Sequence, residues 1–233
     1  MLIFAGAFPF EIAGIRRRGN FHRAGHGCFE GEIGGSPAVL AVSGIGEERA
    51  YKTAKEILGR YPHARAYVSV GLSASLVPEL SPGDVIGAAE IVTGASPENT
   101  HPCDPGLIDA VSKIRCRTGK FVAASKTVIT SSEKKEIART SGAIALDMES
   151  GGAARASVEA GVPFVSIRAI SDGLDEDLPV DFNLFMHEGK MRWGRFIVYF
   201  MTHPAKIPPL MRLGRNSKLA RERLGEAINL FSS

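Results

Sequence analysis

Cysteine is scarce. Cys28, Cys103 and Cys116 are the only three in 233 residues. They show no C-x-x-C spacing, so they offer neither a disulfide framework nor a zinc cluster, and so odd and sparse a count suits a reducing compartment. Charge of one sign is also lacking: 28 basic residues face 25 acidic ones, a net +3, which is too weak to imply nucleic acid. Long apolar runs are missing. The longest near the end, Phe196–Met201, falls far short of the ~20 residues of a membrane span. The opening MLIFAGAFPF is apolar but has no basic n-region and no cleavage site, and reads as a strand rather than a signal peptide. A soluble cytoplasmic protein is the expectation. With 44% hydrophobic residues and mean hydropathy near zero, the chain can bury one sizeable core, and α/β folds of this length commonly remain one domain.

What is present alternates between short apolar runs and helical periods. Leu2–Ala7 reads as a buried strand, followed by Glu11 at the start of a helix and then Arg16, Arg17 and Arg18. That arginine run can bind phosphate or, more simply, complement a helix end. Residues 25–42 show a hairpin pattern turning at Gly34-Gly35-Ser36-Pro37. Ser43-Gly44-Ile45-Gly46 then leads into a helix with Ala50, Ala54, Ile57 and Leu58 on one face. Such a glycine turn before a helix can cradle an anion through backbone N–H groups. Arg49 stands where a dinucleotide fingerprint needs its third glycine, so NAD is a weak reading. Further strands are expected over Arg65–Val70, Val85–Thr93 and Phe121–Ile129, with helices over Gly106–Arg115, Ser131–Arg139 and Asp181–Met201. Ser96–Pro105 is expected to be an exposed loop, His101 and Cys103 being too few for a metal. The carboxylates Asp175, Glu176 and Asp177 are expected in a solvated loop.

The chain is organised around residues 143–172. The apolar run Ala143–Leu146 leads to Asp147, Met148 and Glu149, then to an Ala/Gly-rich helix stopped by Gly161 and Pro163. A second apolar run, Phe164–Ile170, ends at Ser171-Asp172. Strand, helix and strand in this span read as a βαβ unit with a parallel crossover. Glu149 and Asp172 then fall at the carboxyl ends of strands, where open α/β sheets bind ligands. Each has a plain alternative: Glu149 as a charge at a helix N-terminus, Asp172 as a turn former before Gly173. The expected fold is a single α/β domain: three α/β/α layers around a central mixed, largely parallel twisted sheet. Residues 1–203 form its body and 204–233 a basic, amphipathic C-terminal extension.

Five ordered patterns carry a resemblance: GAFPFE at 6–11, SGIG at 43–46, VGLSASL with PGD over 70–84, LDMES at 146–150 and RAISD at 168–172. Together they resemble the purine nucleosidase and nucleoside phosphorylase superfamily along most of residues 1–200, above all its methylthioadenosine/S-adenosylhomocysteine nucleosidase branch. The resemblance implies that Glu11 activates water and that Asp172, supported by Ser171, serves purine N7. It implies that Met148 and Glu149 contact the ribose, and that Val128 and Ile129 hold the base partly through backbone groups. Gly71 and Ser73 fall with the substrate-binding residues, and Ser43, Gly44 and Gly46 with a water- or phosphate-site loop. The aromatic residue that often stacks on the base has no counterpart.

That chemistry is coherent in its own terms. Breaking an N-glycosidic bond builds positive charge on the sugar and negative charge on the departing purine. One carboxyl must protonate the base and another must present water, while an ionised Glu149 steadies the cationic ribose. The scheme calls for no metal or organic cofactor. Phosphate would be a co-substrate only if the bond were phosphorolysed. The phosphorylases place an arginine two residues before the phosphate-loop glycine and a serine after it; here Ser69 and Leu72 stand there, which favours water.

The tail HPAKIPPLMRLGRNSKLARERL further resembles the C-terminal extension of hopanoid-associated phosphorylases, which remove adenine from adenosylhopane. It implies a lipid-linked substrate and peripheral membrane contact through a basic amphipathic segment, against the simpler reading that the tail packs on the body or a partner subunit. Relatives are homo-oligomers, and a dimer is favoured. The rival classes are a non-catalytic nucleoside sensor or membrane-surface scaffold and, more remotely, a dinucleotide-dependent oxidoreductase.

Overall fold

The computed structural model describes residues 1–25, 27–94, 99–187 and 190–233. Its centre is one mixed sheet. The chain enters with β1 (Leu2–Gly6), α1 (Pro9–Arg18), β2 (Asn20–Gly25), β3 (Cys28–Ile33) and β4 (Ser36–Val42), then α2 (Glu47–Arg60) and β5 (Ala66–Ser75). It continues through β6 (Val85–Thr93), β7 (Thr100–Pro102), α3 (Pro105–Lys113), β8 (Arg117–Ala123), α4 (Ser131–Ser141), β9 (Ala145–Asp147), α5 (Ser150–Ala160) and β10 (Phe164–Asp172). Beyond lie β11 (Met186–His187), β12 (Lys190–Met191), α6 (Trp193–Thr202) and α7 (Ile207–Phe231).

The strand order is β10-β6-β8-β9-β5-β1-β4-β3-β2, and β10 also pairs with β5. One half of the sheet therefore curls round on itself, while β1, β4, β3 and β2 extend from it as an open wing. The strands at the centre are buried on both faces, every residue of β1 and β10 included, which is why their sequences are largely apolar. The α/β class and mixed sheet expected from the sequence are present.

Several local expectations change. The segment 143–172 is not a parallel crossover: β10 runs parallel to β5, whereas β9 pairs antiparallel with the outer end of β5 at Ala74 and Ser75. β9 is three residues long and sits between β8 and β5. The expected helix over 181–201 is interrupted by a 3-10 turn at Phe182–Phe185 and the β11–β12 hairpin. Phe182, Phe185, Phe196, Tyr199 and Phe200 instead converge in a small cluster, with Phe185 edge-on to Phe196 at 5.4 Å. The strand expected to reach Ile129 ends at Ala123. His101 lies not in a free loop but in β7, opposite Ile91, and burial lowers its pKa. Of the loop expected over Ser96–Pro105, residues 96–98 lie outside the described part.

The last helix is attached over its C-terminal half. Ala220, Leu224 and Ile228 enter the main core, and α7 lies against α1 so closely that a Cβ on Gly14 would stand 2.7 Å from the Arg221 carbonyl oxygen. The Ser36 hydroxyl donates to the Ser232 carbonyl at 2.9 Å, tying the end of α7 to β4. Arg18 pairs with Glu226 and Arg16 lies over the Phe29 ring, so two of the three arginines act in packing.

Candidate active site

Glu11 sits in the first turn of α1, where Oε2 accepts the Phe8 N–H at 2.9 Å, the carboxylate half of a capping box. Its other oxygen leaves the helix and accepts the Leu72 N–H at 3.1 Å. Burial raises the Glu11 pKa, against the lowering effects of Arg168 and the backbone donors. Gly71 makes this meeting possible: a Cβ there would lie 2.8 Å from Arg168 Nη1 and 3.0 Å from Glu11 Oε1. The residue type is set by close approach.

Arg168 is opposite Gly71 in the β10–β5 register. Its Nε donates to Asp147 Oδ2 at 2.8 Å and its Nη2 to Ser69 Oγ at 2.9 Å, all inside the protein. Asp147 Oδ1 accepts the Glu149 and Ser150 N–H groups and the Ser150 hydroxyl at 3.0, 2.9 and 2.7 Å, which begins α5 and fixes where Glu149 points. Glu149 is partly exposed, and its Oε1 accepts the Gly46 N–H at 3.0 Å. Burial is the main force pushing its pKa up to about 7; Arg168 opposes this, and the neighbouring Asp147 and Glu11 carboxylates add to it.

Asp172 closes β10. A register shift between Ile170 and Asp172 re-aims the strand end, as bulges near sites do. The Ser171 hydroxyl lies 2.7 Å from Asp172 Oδ1 and 3.2 Å from the Ser73 carbonyl oxygen. Lys134 Nζ donates to Asp172 Oδ2 at 2.5 Å. Ser73 Oγ is buried without a hydrogen-bond partner. The level of Leu72 and Ala169, where Glu11 is held, is three residues along β10 from Asp172, or about 10 Å of strand.

The structure thus brings Glu11, Gly71, Glu149 and Gly46 together round Arg168, and gathers Ser73, Ser171 and Asp172 farther along the same strand pair. The SGIG turn differs from a free anion cradle. The Ser43 and Gly44 amides donate to the Gly6 and Ala7 carbonyls, and the Gly46 amide to Glu149. The Val128 side chain packs with Leu76, Val122 and Leu146. Ile129 donates its N–H to Glu133 at 3.4 Å and accepts from the Leu178 amide at 2.8 Å. Met148 Sδ lies 3.6 Å from the Thr127 hydroxyl. The acidic loop is tied down as well: Asp175 pairs with Lys135, Glu176 with Arg212, and Asp177 accepts the Ser131 amide.

Sequence reasoning gave Asp147, Arg168 and Lys134 no role. The first two lie inside the quoted motifs. A charge at the middle of an otherwise apolar strand was the available signal for Arg168. Among the described residues no group of three or more His, Cys, Asp or Glu could hold a metal ion.

The family model described as the Phosphorylase superfamily matches residues 2–200, and the chain belongs to that superfamily, as an enzyme of the nucleosidase or phosphorylase kind. Among its relatives is a 5′-methylthioadenosine/S-adenosylhomocysteine nucleosidase of Geobacillus thermodenitrificans, 25% identical over 223 residues covering 84% of this chain and 94% of the relative. The nucleosidase of that name from Mycobacterium bovis is 26% identical, with 68% and 78% covered. In fold, the chain is similar to the Neisseria meningitidis 5′-methylthioadenosine/S-adenosylhomocysteine nucleosidase in complex with methylthio-immucillin-A. The TM-score is 0.77, with 22% identity and 99% and 97% of the two chains covered. It is also similar to the Helicobacter pylori futalosine hydrolase, with TM-score 0.75, 17% identity and 99% and 96% covered.

Proposed function

We propose that this enzyme cleaves the N-glycosidic bond of a 5′-substituted adenosine and releases adenine, with water as nucleophile. The observation that carries the reading is the meeting of Glu11 and Arg168 over Gly71, with Glu149 in the field of both and Asp172 farther along the same strands. Glu11 takes the proton of the attacking water. Glu149, ionised and helped by Met148, receives the ribose hydroxyls and steadies the positive charge growing on the sugar. Asp172 delivers a proton to purine N7 so that the base leaves neutral. Val128, Ile129 and Ser73 line the base and sugar positions. Each turnover leaves Glu11 protonated and Asp172 ionised, and exchange with solvent resets both; the scheme requires no cofactor.

Water is favoured over phosphate because the amides that could hold a phosphate are engaged. The Leu72 N–H is bound to Glu11, and those of Ser43 and Gly44 to backbone carbonyls. Adenine release measured with and without phosphate tests this. Release that depends on phosphate would make the enzyme a phosphorylase, and binding of adenosine without any release would make it a sensor.

The finer reading gives the substrate a long apolar 5′ group, with adenosylhopane of hopanoid biosynthesis as the candidate, and gives the protein a peripheral membrane contact. From Lys190 to Arg221 the sequence has no acidic residue. The exposed side chains there join Ile197, Val198, Met201, Ile207 and Met211 to Arg192, Arg195, Lys206, Arg215 and Lys218. Apolar and cationic groups exposed along one stretch of chain suit an anionic bilayer, and this supports contact through α6 and the exposed first half of α7. No helix among the described residues is long and apolar enough to cross a membrane. A cytoplasmic homodimer completes the proposal. The test is a panel of adenosines with 5′ groups from methylthio to long-chain: equal rates across it would remove the lipid-linked substrate and leave the nucleosidase.

A further inference from the structure

Lys134 lies in the second turn of α4 with no exposed surface. An ammonium has three N–H donors and is costly to bury unless they are met. All three are met here: Asp172 Oδ2 at 2.5 Å, the Gly173 carbonyl at 2.9 Å and the Glu176 carbonyl at 2.8 Å. With Ser171 at its other oxygen, the Asp172 carboxyl is held at both ends. The same unit includes the 128–131 loop, which the proposed function assigns to the base. Leu178 donates to the Ile129 carbonyl at 2.8 Å, and Ser131 donates to Asp177 at 2.7 Å. Lys134 thus sits where the acid, the 173–178 loop and the 128–131 loop join.

An apolar side chain could fill this volume and support the loops. It could not fix the rotation of a carboxyl group, and a charge buried beside one implies a demand on that rotation. We infer that Lys134 is the positioning residue for the proton donor. It holds Asp172 with one oxygen turned toward the leaving base, and keeps the 173–176 backbone from swinging that carboxyl away. This rests on the nucleoside-cleavage reading above, since it needs Asp172 to act as the acid.

The test compares two ribosides with the same 5′ group, one carrying adenine and the other 4-nitrophenolate, which departs as a stable anion and needs no proton. In Lys134→Met, kcat for adenine release is expected to fall by about 10²-fold, the scale of a displaced catalytic group, with KM little changed. Cleavage of the nitrophenyl riboside should fall far less, and added ethylammonium should restore part of the adenine release. Equal losses on both substrates would mean that Lys134 merely holds the fold, and unchanged rates on both would mean that it does nothing for the acid; either overturns the assignment. If Lys134→Met does not fold, Lys134→Gln is judged by the same ratio of rates. A wild-type enzyme that cleaves neither riboside would instead sink the nucleoside reading, and this role with it.

Discussion

Arg168 and Asp147 form a buried ion pair at 2.8 Å between the strand that ends at Asp172 and the turn that starts α5. Both side chains are about 1% exposed. The guanidinium also serves Ser69 and borders Glu11, so a single cation orders two carboxylates and a hydroxyl. Removing one partner of such a pair leaves the other charge buried and unmatched, a cost of about 3–5 kcal/mol. Arg168→Met is expected to lower the unfolding free energy by that amount in a denaturant titration. Arg168→Lys should recover only part of it, because an ammonium cannot donate to Asp147 and Ser69 in the same fork.

Gly71→Ala keeps every charge but pushes Glu11 and Arg168 apart. The added methyl meets Arg168 Nη1 at 2.8 Å and Glu11 Oε1 at 3.0 Å. We expect kcat to fall by about 10²-fold, as for a catalytic group displaced by about 1 Å. Thermal unfolding should move much less than for Arg168→Met.

Asp172→Asn removes the transferable proton while leaving the bulge and the Ser171 contact sterically intact. The expected fall in kcat for adenine release is ~10²–10⁴-fold, with binding of a non-cleavable nucleoside analogue retained by calorimetry. Wild-type turnover in this variant would remove the acid role.

Glu149 gives a pH signature. Its pKa is raised to about 7, first by burial and then by its acidic neighbours, from an ordinary 4.5. Between these values the folded protein holds a proton that the unfolded chain has released. Glu149 therefore makes stability decline as pH rises from about 4.5 to about 7, with the full penalty present above that. Glu149→Gln should flatten this part of the stability profile. In the free enzyme the ionised form grows in only through about pH 7, so under the proposed role kcat/KM should rise with pH through neutrality and level off above it.

The surface of α6 predicts binding to phosphatidylglycerol-containing vesicles, weakened by added salt and absent with phosphatidylcholine alone. Replacing Ile197, Val198 and Met201 with Asp should reduce cosedimentation about tenfold or more, each unit of charge being worth about 1 kcal/mol at such a surface. A change of oligomeric state in that variant would show that the face belongs to a subunit contact instead.

Much of the frame is legible because burial writes itself into sequence. β1 and β10 are buried throughout, and α2 carries Ala50, Ala54, Ile57 and Leu58 on its inner side as the spacing implies. β2 escapes notice because Asn20–Gly25 is largely exposed and shows no alternation. The direction of β9 is set by distant partners that its three residues do not encode. In the site, Glu11, Glu149 and Asp172 stand out through the motifs around them. Lys134 does not. It adjoins Lys135 in a charged run, yet Lys134 is wholly buried against Asp172 while Lys135 lies outside with Asp175. Nothing local separates the two; only the third dimension does.

The close seat of α7 on α1 makes the position of Glu11 depend on a helix far along the chain. A Cβ on Gly14 would stand 2.7 Å from the Arg221 carbonyl oxygen, so a larger residue there would tilt α1 and draw the Glu11 carboxylate off the Leu72 amide that it accepts. Loosening α7 would disturb the same contact from the other side, without altering any group that surrounds Glu11.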